Sequence, residues 1–90
     1  MLKDPQIGTK IQASVVSVKG TCAVGHQAGD QFSISCYCSS GLCGFFYHHI
    51  FPDLQTFQMG GRMPWWDEDA LLVQCPDPEN TVTLRLEKVR

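Results

Sequence analysis

The chain has no basic run: its seven Lys and Arg residues are scattered among nine Asp and Glu, for a net charge of −2. Nucleic-acid binding depends on clustered cations that neutralise phosphates, so that class of partner is not expected. No apolar stretch approaches the ~18 residues that a membrane-spanning helix needs, so no membrane partner is expected either. Met1 to Thr9 is too polar and too short to read as a signal peptide. Internal repeats, low-complexity tracts and CxxC pairs are all missing. Five cysteines cannot all pair within one chain, which makes a disulfide-stapled secreted domain the weaker reading. Reduced thiols in the cytoplasm are the stronger one.

What is present fits one domain spanning residues 1–90, with an apolar share of 43% that argues against disorder. Ile11, Ala13 and Val15 alternate with polar residues, and the phase then slips so that Val16 and Val18 carry the apolar side. This predicts a strand from Thr9 to Lys19 with a β-bulge or a change of face. Gly25, Gly29 and Asp30 supply turn chemistry, and Phe32, Ile34 and Cys36 predict a second strand over Gln31–Cys36. Ser39, Ser40 and Gly41 lead into a helix from about Leu42 to Ile50, expected to bury Leu42, Phe45, Phe46, His49 and Ile50. Pro52 suits the first turn of a second short helix ending near Met59, ahead of Gly60-Gly61, which gives a kinked helix pair. Ala70–Cys75 and Thr81–Val89 read as a hairpin with Leu71, Val73, Val82, Leu84 and Leu86 inward. The order β-β-α-β-β predicts an α+β fold: a small, mostly antiparallel four-stranded sheet with the kinked helix pair on one face.

The stretch from Cys36 to His49 holds three thiols and two imidazoles in fourteen residues. Sulfur and imidazole bind soft and borderline metals and carry out nucleophilic or proton-transfer chemistry near neutral pH. Cys22, His26, Cys43 and Cys75 each lie at the end of an expected element or in an adjoining turn, so in a small domain they can meet on one rim. Four such ligands would suit tetrahedral zinc, or iron if thiolates dominate. Their spacing matches no standard zinc module, and the competing reading is buried thiols that act as small hydrophobes, above all for Cys36 and Cys75. Cys43 falls at a helix start, whose free N–H groups favour a thiolate; alternatively it packs the first turn.

His48 lies above Gly44 and Gly41, where missing side chains leave room for a pocket, which makes it a proton-transfer candidate. Neither His48 nor His49 shares a helical face with Cys43, so His26 is the better partner for that thiol. Arg62, Trp65, Trp66 and Asp67 could wall a small-molecule site together with Phe46 and Tyr47, with Asp67 as a second acid–base group. Equally, Trp65 could plug the end of the core with Trp66 covering it.

In combination, Cys22-x-x-Gly25-His26-x-x-Gly29-Asp30-x-Phe32, Gly41-Leu42-Cys43 with His48 and Pro52, Gly60-Gly61 with Pro64-Trp65, and Cys75-Pro76-Asp77-Pro78 resemble the pattern of a family of small, uncharacterised bacterial and archaeal proteins of about this length. The likeness runs over nearly the whole chain and implies a residue pattern rather than an activity. Cys36 and Cys38 depart from it, since Gly- or Pro-rich residues stand there in the family. This leaves Cys22, His26, Cys43, His48 and Cys75 as the stronger candidates.

Three functions follow as expectations. The first is a Cys/His-lined site that binds zinc or iron or carries a reactive thiol. The second is a compact enzyme or small-molecule binder that uses the aromatic wall, and the third is a structural interaction module. An exposed strand edge in so small a sheet would also permit a homodimer.

Overall fold

Alternating apolar residues set the sheet. In the computed structural model, which describes residues 4–22, 25–67 and 69–89, β1 spans Ile11–Val18, β2 Gln31–Ile34, β3 Ala70–Gln74 and β4 Val82–Lys88. All neighbours are antiparallel, in the order β2-β1-β4-β3. Ile11, Ala13, Val15, Leu71, Val73, Val82, Leu84 and Leu86 are buried. Their polar neighbours occupy the other face, where Arg85 pairs with Glu87 at 2.9 Å across two residues of one strand. The expected slip in β1 is a register shift between Val15 and Ser17 against β4. Val16, expected to carry the apolar side with Val18, is instead 52% exposed at the shift, and only Val18 packs partly against the core.

One helix, α1 (Gly44–Gln58), covers the inner face. Its buried stripe is Phe46, Ile50, Leu54 and Phe57, at i, i+4, i+8 and i+11. The expected kinked pair is therefore not present: Pro52 lies inside a continuous helix. An interior proline costs about 3 kcal/mol. Burying each large apolar side chain of the stripe contributes about 1.5–3 kcal/mol, and that stripe continues past the proline on both sides. Pro52 and His48, whose carbonyl loses its helical donor, are both on the exposed side, where solvent can satisfy that carbonyl. Phe45 (81% exposed) and His49 were expected in the core and are outside it, because each precedes a member of the buried stripe by one residue and so sits about 100° around the helix.

The aromatic loop also differs from the plugging arrangement considered for it. Trp66 is the buried member, edge-to-face against Phe57 with ring centroids 6.1 Å apart, and Trp65 is 77% exposed. No helix among the described residues is long and apolar enough to cross a membrane.

Candidate thiol cleft

β1 and β4 run together to the Val18–Val82 pair, and Gln74 of β3 faces Thr83. The loops after β1 and β3 therefore leave the sheet at one end, on either side of Val82. Cys22 lies on the first and Cys75 on the second. Cys75 extends the ladder: its N–H donates to the Val82 carbonyl at 3.0 Å, and its Sγ accepts the Val82 N–H at 3.1 Å.

His26 is placed by the returning loop. Gly25 (φ 89°) and Gly29 (φ 96°) take left-handed backbone that other residues adopt at a cost. Asp30 accepts the Gln27 N–H at 2.9 Å, while Gly29 N–H donates to Val15 O and Val15 N–H to Asp30 O. The loop is thus held against the bulge, and the His26 ring stacks on Phe32 of β2 with centroids 5.8 Å apart and planes inclined at 25°. Its Nε2 is buried without a hydrogen-bond partner.

Cys43 is the N-cap residue of α1, and no side-chain hydrogen bond caps the helix start. Its first-turn amides are those a helix leaves without intrahelical acceptors.

These four residues border one cleft of about 290 Å³. Its other walls are mainly apolar: Phe46 and Val82 are buried beneath it, and exposed Phe45 and Pro76 stand at its edge. Asp77 and Asn80 supply a polar margin. The Asp77 carboxyl is held below the usual carboxylate range, first by the Glu79 N–H and then by the Asn80 side-chain amide. All five cysteines are free thiols. Among the described residues, no three His, Cys, Asp or Glu side chains are gathered closely enough to hold a metal ion as they stand. The donors share a cleft without forming a closed coordination shell.

The remaining candidates lie elsewhere. His48 and Asp67 are exposed, Trp66 is in the core, and Arg62 donates to the Trp66 carbonyl at 3.4 Å and so ties its own loop. Tyr47 turns away from the cleft, its hydroxyl donating to Ser35 O at 2.6 Å. Of the proposed aromatic wall, only Phe46 borders the thiol cleft. Sequence reasoning missed Asp77 and Asn80 as site residues. Their signal was the turn Asp77-Pro78-Glu79-Asn80, which reads as chain reversal and nothing more.

No family model, curated protein or solved structure matches the chain.

Proposed function

We propose that the cleft binds a soft or borderline metal ion, zinc first and ferrous iron second, through Cys22, Cys43, Cys75 and His26. The observation that carries this reading is that three free thiols and an unpartnered imidazole nitrogen, spread over 54 positions of sequence, border a single cleft. Three thiolates and a neutral imidazole satisfy tetrahedral zinc, with Zn–S about 2.3 Å and Zn–N about 2.0–2.1 Å. Thiolates alone would be costly in so apolar a setting, whereas a divalent cation offsets their charge. Amide donors support the same role: Val82 N–H already reaches Cys75, and the first-turn amides of α1 follow Cys43.

Loading requires the side chains to draw together. Off-rotamer strain costs about 0.5–1.5 kcal/mol per side chain, against about 10–16 kcal/mol for structural zinc in small domains. Ligation therefore outweighs the rearrangement. Binding releases thiol protons, so apparent affinity falls as pH falls. A reducing compartment such as the cytoplasm suits this chemistry.

Elemental analysis of protein purified without chelators tests the reading. Near-stoichiometric zinc or iron, lost in Cys22→Ser and Cys43→Ser, is expected. A folded, metal-free wild-type protein that takes up neither ion would overturn it. A second reading uses the same cleft differently: Cys43 at the uncapped helix start acts as a reactive thiol with His26 nearby. Selective alkylation of Cys43 over Cys22 and Cys75 in metal-free protein would favour that use, and equal labelling would remove it.

A further inference from the structure

We propose that Asn80 is the positioning residue of the cleft, an amide clasp that keeps the Cys22 loop and the Cys75 turn at the separation their shared ligand requires; this rests on reading the cleft as a metal site. Asn80 Oδ1 accepts the N–H of Thr21, the residue before Cys22, at 2.9 Å. Its Nδ2 donates to Asp77 Oδ2 at 3.2 Å, two residues after Cys75. One planar group thus joins two loops that are 59 residues apart in sequence. Asp77 is itself fixed, its Oδ1 accepting the Glu79 N–H at 2.9 Å and the Asn80 N–H at 3.3 Å.

The approach of the two loops is built into the backbone. A Cβ at Gly20 would overlap Asn80 Oδ1 and crowd the Glu79 carbonyl, so glycine is what lets the loops close at this point. Lys19 adds a parallel strap, Nζ donating to Pro78 O at 2.9 Å. Asn80 itself borders the cleft. The Asn80 amide presents an acceptor to Thr21 and a donor to Asp77 from the two ends of one planar group. Aspartate at this position would keep the acceptor but set two carboxylates against each other. Exchanging the two, Asp77→Asn with Asn80→Asp, again puts a donor opposite every acceptor.

Two readouts test the clasp. The first is zinc affinity, by competition with a chromogenic chelator. The second needs no metal: the rate at which a short bismaleimide links Cys22 to Cys75 within one chain, in a Cys36→Ser, Cys38→Ser, Cys43→Ser background. Asn80→Ala and Asn80→Asp are expected to lower zinc affinity by about 10–100-fold, the range typical of groups that orient metal ligands. Linking is expected to slow, and the exchanged pair to restore both readouts. Should Asn80→Ala unfold, Asn80→Asp, which retains the acceptor for Thr21, carries the comparison at a temperature where circular dichroism shows it folded. Unchanged linking in folded Asn80→Asp would overturn the clasp whatever zinc does. Slowed linking and its rescue, in a protein that binds no zinc, would leave the clasp standing and remove the metal reading alone.

Discussion

The two ends of the sheet each carry cysteines beside a cleft, Cys38 at one and Cys22, Cys43 and Cys75 at the other, yet they differ in how their most buried polar side chains are partnered. At the end where β2 finishes, Gln58 is 2% exposed, and its side chain accepts the Cys36 N–H at 2.8 Å and donates to Ile7 O at 2.9 Å. Ser35 Oγ donates to Asp4 Oδ2 at 2.5 Å and accepts the Tyr37 N–H, while the Ser35 carbonyl takes the Tyr47 hydroxyl. The Cys36 thiol is pushed up by burial and then by the Asp4 charge, which favours its neutral form. At the other end, His26 Nε2 is buried and unpartnered, and Cys43 opens a helix whose start has no side-chain cap. Leaving buried donors and acceptors unmade costs about 1–3 kcal/mol each, so folds rarely do so without a use. Among the described residues, His26 Nε2 is the one buried side-chain nitrogen or oxygen that lacks a partner, and it lies at the thiol-cleft end.

Gln58→Ala should break the scaffold end most severely. It strands Ile7 O and Cys36 N–H and opens a cavity, so a loss of about 2–4 kcal/mol is expected in urea unfolding. An effect under ~1 kcal/mol would mean that this network is ornamental. The site end should respond through its ligand instead. Zinc at a hundredfold excess over its dissociation constant should stabilise the wild type by about 2.7 kcal/mol. Cys22→Ser and Cys43→Ser should lose most of that rise in melting temperature, while Cys36→Ser with Cys38→Ser keeps it. An equal loss in both sets would erase the distinction between the ends.

Smaller effects sharpen the comparison. Tyr47→Phe removes one part-buried hydrogen bond, worth about 1 kcal/mol. Its phenol is raised above the ordinary range by burial first, then by the charges of Cys36, Cys38 and Asp4. The neutral form is favoured in the folded state, so this contribution is full below about pH 10 and is lost as pH rises through the raised value. Stability measured across that alkaline range should therefore fall less steeply in Tyr47→Phe. The smallest effect lies at acid pH. Asp4 is depressed, first by the Ser35 hydroxyl and then by the Gln6 N–H. Its contribution is present above the ordinary value near pH 4 and disappears as pH falls through the lowered one. Ser35→Ala should flatten that limb slightly, leaving the part due to Asp77 at the cleft, and an unchanged acid limb would count against the Asp4 contact.

Where burial follows strict alternation, the sequence was easy to read. Val82, Leu84 and Leu86 pointed inward as their parity required, and the slip in β1 announced its bulge through a single displaced apolar pair. Pro52 misled because local propensity argues for a break, whereas four buried side chains on one stripe carry the helix through. Trp65 and Trp66 are adjacent and chemically alike, so only the packing against Phe57 decides which is buried. Of the cleft, the four N and S residues were legible because each stood at the end of an element. Asn80 was not, since its partner Thr21 is 59 residues distant and nothing local marks the pairing.

The most direct test titrates metal-free protein with cobalt(II), follows the visible spectrum, and then maps alkylated thiols by mass spectrometry. One equivalent should give intense tetrahedral bands with sulfur-to-cobalt charge transfer, and should protect Cys22, Cys43 and Cys75 while Cys36 and Cys38 label as before. A featureless titration, or protection that falls on Cys36 and Cys38 instead, would contradict the proposal that the cleft binds a metal ion.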